Sequence, residues 1–274
     1  MLRRHVLTSM ADPFFIVGCP RSGTTLLSVL IDRHSRLCVP PETGFFAEVA
    51  PRLPSPDEAS LRHTLARWSR LPELNLRPEA VHKRLGGRPS SPEGVLAAIL
   101  ELYAEAEGKA RCGEKTPQHL LHVPAMLRHF PGARIVCLLR DGRDVSLSLR
   151  AMPWGPPTLV EAAELWNSFV RLADGFAQQH PDQFTVVCYE ELVEHADQVL
   201  PGVMAFLGEG FEPEQLQPRV SSGVVLQRSF AWKGQALGPI DPTRIGKRRE
   251  EATAAEAALL DDVLSDELRR HGYT

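Results

Sequence analysis

Apolar residues follow two spacings along this chain, and the two alternate from the N-terminal region onward. Continuous apolar runs predict strands that are buried on both faces of a parallel sheet, and apolar positions three and four residues apart predict helices. The predicted strands are 14–18, a short strand within 110–117 that breaks into a loop, 133–139 and 184–188. The predicted helices are 24–34, 57–70, 78–85, 92–107, 118–129, 142–151, 159–179, 196–207 and 251–270.

This alternation predicts an α/β fold, an open parallel sheet flanked by helices. Ligands of such sheets bind beyond the carboxyl ends of the strands. With 274 residues, we expect the chain to form a single domain over 1–274. A helical insertion at about 47–92 and a C-terminal basic segment at about 228–250 are interpreted as lids over the ligand site, and 35–41 is interpreted as a loop.

The first chemical motif lies where the first strand meets the first helix. The strand ends at Gly18, a short loop contains Arg21 and Gly23, and the helix opens with Thr24 and Thr25. Backbone N–H groups of such a loop, together with the positive end of the helix dipole, point at an anion. The spacing matches G-x-x-x-x-G-K-S/T, except that Thr24 replaces the Walker lysine and the cation is Arg21. This motif alone predicts phosphate-type anion binding, with an ordinary strand-to-helix turn as the alternative.

The second motif joins Arg140, Asp144 and Ser148. Arg140 ends a buried strand and Ser148 lies two turns into the following helix, so both can approach one anion near the end of that strand. The residues by themselves fit a solvated, charge-rich helix start equally well, because Asp141 and Asp144 suit the positive end of the helix dipole.

Taken together, the two motifs resemble those of sulfotransferases that use 3′-phosphoadenosine 5′-phosphosulfate (PAPS). That family has P-R/K-S-G-T-S/T for the 5′-phosphosulfate and R-x-x-x-D-x-x-x-S for the 3′-phosphate, and both are intact here at 20–25 and 140–148. The resemblance implies a P-loop NTPase-like sulfotransferase fold. It also implies transfer of a sulfonate from PAPS to an acceptor hydroxyl, which leaves 3′,5′-ADP, without a metal ion. A reaction of this kind accounts for the missing Walker lysine.

The same resemblance assigns residues to the two ends of PAPS. Those expected at the 5′-phosphate and sulfonate are Arg21, Ser22, Gly23, Thr24, Thr25 and Leu26. Arg140 and Ser148 are expected at the 3′-phosphate, and Tyr189 near the adenine. The late basic residues Arg244, Gly246, Lys247 and Arg248 resemble the loop that closes over the nucleotide. Arg248 stands where the family often has an aromatic residue, so a solvated basic helix start remains the alternative for that segment.

The resemblance further implies a catalytic base and two cations. We expect Glu42 to be the base, because its setting is similar to that of the tyrosylprotein and glycan branches, and His119 is the alternative. Lys115 and Arg21 would stabilise charge on the leaving phosphate. Glu114, beside Lys115 on a strand, is expected to point away from the site.

Aromatic residues near these motifs are candidates for an acceptor pocket, although packing in the core or a lid is their more common role. They are Trp154, Trp68 and the pair Phe45 and Phe46.

Composition narrows the remaining choices. A net charge of −3 gives no indication of a nucleic-acid partner, and no apolar run approaches the roughly 18 residues of a membrane span. Five scattered cysteines favour neither a disulfide framework nor a zinc site, so a cytoplasmic location is expected.

The acceptor, a small molecule or a peptide tyrosine, is not identified by the sequence, and a homodimer is possible. The alternative functions are a P-loop kinase-like phosphotransferase and a non-catalytic nucleotide-binding protein of the same fold.

Overall fold

The computed structural model describes residues 12–53, 58–217 and 239–273. Its strands are β1 (Phe14–Gly18), β2 (Leu37–Cys38), β3 (Arg111–Cys112), β4 (Glu114–Lys115), β5 (Arg134–Leu139) and β6 (Phe184–Cys188). The helices of the first half are α1 (Thr24–Asp32), α2 (Phe45–Glu48), α3 (Glu58–Arg67), α4 (Pro78–Leu85), α5 (Pro92–Ala106) and α6 (Val123–His129). Those of the second half are α7 (Gly142–Arg150), α8 (Leu159–Gln179), α9 (Tyr189–Glu194), α10 (Ala196–Leu207), α11 (Lys247–Glu250), α12 (Ala254–Val263) and α13 (Ser265–Arg270).

The main sheet has four parallel strands in the order β4-β1-β5-β6. Alternate residues of β1 enter two separate cores: Phe15 packs with α5, α7 and α8, and Phe14 packs with α1, α9 and α10. Because the strands are apolar on both faces, helices must cover both faces, and the parallel direction brings the carboxyl ends of β1, β4, β5 and β6 to one edge. The predicted fold class is therefore confirmed.

A second, two-stranded parallel sheet corrects the interpretation of 35–41 as a loop. Leu37 of β2 pairs with Arg111 of β3, and Cys38 pairs with Cys112. Two-residue strands are too short to show a period, which is why the sequence pattern missed β2. The predicted strand at 110–117 is divided into β3 and β4 at Gly113, where an added Cβ would lie 2.1 Å from the Phe14 ring.

The insertion forms short helices close to those predicted. Within the described residues, α3 packs on α4 and α4 packs on α5, and Leu61, Leu65 and Trp68 are buried in the same core as Phe45 and Phe46. The N-cap predicted for the helix over 92–107 is present, since the Ser91 hydroxyl accepts a hydrogen bond from the Gly94 N–H. The insertion is thus packed against the sheet by its own apolar face.

Two further helical predictions need correction. Residues 118–129 do not form one α-helix, because a 3₁₀ helix over Pro117–His122 precedes α6. The closing helix is interrupted at Leu264, which is the C-cap of α12 and the N-cap of α13. In the part of the chain that the structure describes, no helix combines the length and apolar character needed to cross a bilayer. Residues 228–238 of the predicted basic lid lie outside the described residues.

Candidate active site

The loop after β1 has backbone dihedral angles that residues other than glycine rarely adopt. At Gly18 and Gly23, φ is +150° and +93°, and an added Cβ would lie 2.5 Å from the Leu138 carbonyl oxygen and 2.4 Å from the Tyr189 ring, respectively. Arg21, between them, has a φ of 75°, in the left-handed region that non-glycine residues seldom occupy. The loop therefore presses closely on β5 and on Tyr189, and it is held in one shape in front of the N-terminus of α1.

A cavity of about 650 Å³ opens in front of this loop. It lies at the edge of the sheet where the carboxyl ends of the main strands meet, as expected for a parallel sheet. The predicted site residues that line it are Arg21, Gly23, Thr24, Thr25, Leu26, Glu42, Arg140, Tyr189 and Arg244. The structure thus brings most of the predicted residues to a single cavity.

Guanidinium groups gather at one side of this cavity. Arg21 donates from Nε to the Ser148 hydroxyl at 3.0 Å, and the Arg140 guanidinium lies 4.5 Å from the centre of the Tyr189 ring. Burial lowers the pKa of Arg21, and the nearby charges of Arg140 and Arg248 lower it further, while Glu42 acts in the opposite direction. An anion placed among these like charges would relieve their repulsion.

Two buried polar atoms in the same region have no hydrogen-bond partner among the described residues. They are the hydroxyl oxygen of Ser22 and Nε of Arg140. Buried polar groups are nearly always hydrogen-bonded, so each orphaned donor is an indication of a ligand. The loop N–H groups, a hydroxyl and clustered guanidiniums are the donor set that a phosphate or sulfate requires.

A carboxylate of the cavity wall, that of Glu42, is paired with a buried ammonium. Lys115 Nζ lies 2.6 Å from Glu42 Oε1, and the side chains of Lys115 and Glu42 are 5% and 21% exposed. Lys115 ends β4, which pairs with β1 through Ile16, so the ion pair is placed directly beside the anion-binding loop. The structure therefore brings together the predicted base and the predicted cation.

A buried network supports the segments that contain this ion pair. Glu114 is fully buried and accepts hydrogen bonds from the hydroxyls of Thr43 and Thr116, at 2.7 and 2.6 Å. Its second oxygen accepts from Nδ1 of His119 at 2.8 Å. Burial alone would raise the pKa of Glu114, but the interaction with His119 and these hydrogen bonds hold it below its ordinary value. Glu114 thus ties the Glu42 loop to the end of β4.

The alternative base, His119, is not in a position to meet a substrate. Its ring is fully buried, it is absent from the cavity wall, and Nε2 accepts a hydrogen bond from the Phe46 N–H at 3.3 Å. The ring proton therefore lies on Nδ1, which donates to Glu114. Both ring nitrogens serve the buried network.

The other predicted residues occupy supporting positions. Ser22, within the loop, is buried, and Ser148 reaches the cavity through its hydrogen bond with Arg21. In the late basic segment, the backbone N–H groups of Gly246 and Arg248 donate to Asp144, and the side chains of Lys247 and Arg248 are exposed.

Of the aromatic candidates, Trp154 lines the cavity and is 50% exposed. Trp68, Phe45 and Phe46 are core residues.

The sequence motifs gave no indication of Arg70. From the insertion, it donates to the Glu42 carbonyl at 3.1 Å and pairs with Glu48 at 2.9 Å, and all three residues line the cavity. A lone arginine in an irregular helical stretch has no motif, so only the fold reveals this contact.

Comparison with known proteins shows the family to which the chain belongs. A family model described as the sulfotransferase family matches residues 13–213. Nodulation protein NoeE of Sinorhizobium fredii (strain NBRC 101917 / NGR234) is 30% identical over 223 residues, which are 73% of this chain. The chain spans half (50%) of the length of that relative. Protein-tyrosine sulfotransferase A of Caenorhabditis elegans is 23% identical over 288 residues, covering 98% of this chain and 71% of that protein.

Solved structures share the fold. The sulfotransferase domain from the Synechococcus PCC 7002 olefin synthase superposes with a TM-score of 0.64 at 24% identity, and the match covers 93% of this chain and 94% of that domain.

The Glu114 network predicts a pH-dependent loss of stability. Replacing one partner of a buried, hydrogen-bonded pair leaves the others unsatisfied, so Glu114→Gln should lower the free energy of unfolding by about 3 kcal/mol at pH 7. Because the pKa of Glu114 is lowered in the folded chain, its stabilisation is present above its unfolded pKa of about 4.3 and is lost as the pH falls through the folded value.

Urea unfolding of both proteins at several pH values measures this difference. We expect the difference in the free energy of unfolding between the wild-type and Glu114→Gln proteins to narrow below about pH 4. Glu73→Gln, at an exposed position, is the matched control and should change the free energy by no more than about 0.5 kcal/mol. A Glu114→Gln protein as stable as the wild type at pH 7 would contradict the claim that the hydrogen bonds of Glu114 stabilise the fold.

Proposed function

The chain belongs to the sulfotransferase family, and we propose on that basis that its cavity transfers a sulfonate group from PAPS to an acceptor hydroxyl, leaving 3′,5′-ADP. The observation that carries the proposal is that Arg21 and Arg140 line one cavity in front of the anion-binding loop, beside two buried polar atoms that have no partner among the described residues. Two anionic ends of one nucleotide would satisfy these charges together with the orphaned Ser22 and Arg140 atoms.

Each end of PAPS has a set of donors suited to it. The loop N–H groups, Arg21, Thr24 and Thr25 are the proposed contacts of the 5′-phosphosulfate, at the N-terminus of α1. The 3′-phosphate would be held by Arg140 and Ser148, with the late basic segment beside them. Leu26 and the Tyr189 ring line the cavity as apolar surfaces for the nucleoside.

The Glu42–Lys115 pair supplies the proposed chemistry. Glu42 takes the proton of the acceptor hydroxyl while the acceptor oxygen bonds to sulfur, and the bond from sulfur to the 5′-phosphate oxygen breaks. Lys115 and Arg21 then face the negative charge that develops on the leaving phosphate. Lys115 also keeps the Glu42 carboxylate directed at the site, since their charged atoms are 2.6 Å apart.

The acceptor is proposed to bind between the insertion and the turn after α7. Ser69, Arg70 and Glu73 from the insertion line the cavity, which supports the predicted covering role of 47–92, and Trp154 stands on the α7 side. A half-exposed indole offers an apolar face to an aromatic or aliphatic alcohol. The name of the nematode relative makes peptide tyrosines the first acceptor class to test, followed by small-molecule phenols.

Nucleotide preference separates the proposed function from its alternatives. At 100 times its dissociation constant, 3′,5′-ADP in EDTA should stabilise the protein by about 2.7 kcal/mol in thermal unfolding, because it binds only the folded chain. ATP with Mg²⁺ should stabilise it far less. Stabilisation by ATP with Mg²⁺ alone would instead support a kinase-like phosphotransferase. Binding of 3′,5′-ADP without turnover of any acceptor would support a non-catalytic protein.

Replacement of the proposed base should separate chemistry from binding. Glu42→Gln keeps the shape of the side chain but cannot take a proton, so we expect turnover to fall by about 100-fold or more. The affinity for 3′,5′-ADP, measured by calorimetry, should stay within about twofold. Glu79→Gln, at an exposed position outside the cavity, should retain turnover. If Glu42→Gln also retained it, another group would have to be the base.

Removal of the exposed indole of Trp154 should weaken binding of the acceptor and leave binding of the nucleotide unchanged. We expect Trp154→Ala to raise the acceptor KM by about 3- to 10-fold, the loss of one aromatic contact, at unchanged 3′,5′-ADP affinity. Leu121→Ala is the matched control, because Leu121 is similarly exposed, at 53%, and lies outside the cavity. Equal effects of the two substitutions in steady-state kinetics would remove Trp154 from the acceptor site.

A further inference from the structure

One buried carboxylate joins the second motif to the late basic segment. Asp144, in α7, is fully buried, and its Oδ2 accepts from Arg140 Nη2 at 2.8 Å and from the Gly246 N–H at 2.9 Å. Its Oδ1 accepts from the N–H groups of Arg248 and Arg249, both at 3.1 Å. The four donors thus come from the strand end before α7 and from a segment about a hundred residues later in the chain.

The late basic segment, residues 244–249, would not form the short helix α11 in isolation. Helix α11 is four residues long, begins with Lys247, Arg248 and Arg249, and has no side-chain cap on its N-cap residue, Gly246. Cations in the first turn oppose the helix dipole, and one isolated turn is unstable in water. Asp144 supplies the missing cap from another element, so the place of this segment depends on α7.

Two further contacts join the same elements. Asp141 accepts from Arg249 Nη1 at 2.8 Å, and Arg140 Nη2 donates to the Arg244 carbonyl at 2.9 Å. Arg140 therefore contacts both Asp144 and the start of the basic segment. Its guanidinium, the Arg244 backbone and the 246–249 turn form one hydrogen-bonded unit around Asp144.

We propose that Asp144 is a positioning residue that fixes Arg140 and residues 244–249 in a single arrangement that selects a nucleotide with a 3′-phosphate. The proposal rests on the proposed function, because it takes the 3′-phosphate to lie among these cations. Asp144 itself does not contact the ligand, since four protein donors already occupy its two oxygens. It acts by holding cations that would otherwise repel one another.

The docking of the segment is testable without any nucleotide. Trypsin cleaves after lysine and arginine, and local opening must expose the bonds after 247, 248 and 249 before they are cut. Asp144→Asn keeps the shape of the side chain but turns an NH₂ group toward N–H donors. We expect cleavage at these bonds, followed by mass spectrometry, to become at least tenfold faster. Asp261→Asn, which removes an exposed partner of Arg143, should leave the rate unchanged.

The effect on the ligand is measured by comparing two nucleotides that differ in the 3′-phosphate. Wild-type protein should bind 3′,5′-ADP more tightly than 5′-AMP. Asp144→Asn should reduce the ratio of the two affinities at least tenfold, while its affinity for 5′-AMP stays unchanged. A merely structural defect would weaken both nucleotides equally. If wild-type protein showed no preference for 3′,5′-ADP, the proposed function would fail, whereas the tryptic result would still decide whether Asp144 docks the segment.

Hydrogen exchange of the wild-type protein tests the proposal even if Asp144→Asn does not fold. The N–H groups at 246, 248 and 249 should exchange slowly, and 3′,5′-ADP should slow all three further. Rapid exchange of these amides would overturn the proposal. Unchanged cleavage and an unchanged nucleotide ratio in a folded Asp144→Asn protein would overturn it as well.

Discussion

Positive charge concentrated at one edge of a parallel sheet is the constraint on which this structure depends. Arg21, Arg140 and Lys115 come from three separate strand ends, and each is held by a partner from another element: Ser148, Asp144 and Glu42, respectively. Because Ser148 and Glu42 are distant in sequence from the cations that they hold, Arg21 and Lys115 are positioned by the whole fold. Burial, and then the nearby charges of Arg140 and Arg248, lower the pKa of Arg21, so an anion placed beside it would be stabilised.

Acidic residues therefore have two different tasks in this protein. Asp144 and Glu114 are fully buried and hold backbone and side chains in place, whereas Glu42 is partly exposed in the cavity and is the proposed base. Burial separates these tasks more clearly than residue type does. A carboxylate surrounded by four protein donors cannot act on a substrate, but it can determine where the reactive groups lie.

The sequence was sufficient for the parts that depend on long apolar runs and on local motifs. The helix over 159–179 and the strand over 184–188 have the predicted bounds, because capping by Thr158 and a continuous apolar run are local signals. The anion-binding loop and the Arg140 motif led to the family, which is confirmed. The roles of the individual site residues, the single-domain boundary, the metal-free reaction, the cytoplasmic location and the homodimer stay predictions.

Contacts between distant segments were beyond the reach of the sequence pattern. Leu37 and Cys38 form a strand only because β3 lies beside them, and Arg70 meets Glu42 only after the insertion has folded back. His119 was retained as an alternative base because a sequence shows neither its burial nor its hydrogen bond with Glu114. Asp144 was identified as part of a motif, but its bonds to 246–249 became visible only in the structure.

Transfer of labelled sulfonate tests the central claim most directly. The wild-type protein would be incubated with sulfur-labelled PAPS and a panel of tyrosine peptides, small phenols, aliphatic alcohols and glycans, and both products would be quantified. The account predicts label in at least one hydroxyl acceptor, with one equivalent of 3′,5′-ADP released for each sulfonate transferred. Label that stays on PAPS in the presence of every acceptor class, from a protein that binds 3′,5′-ADP, would contradict it.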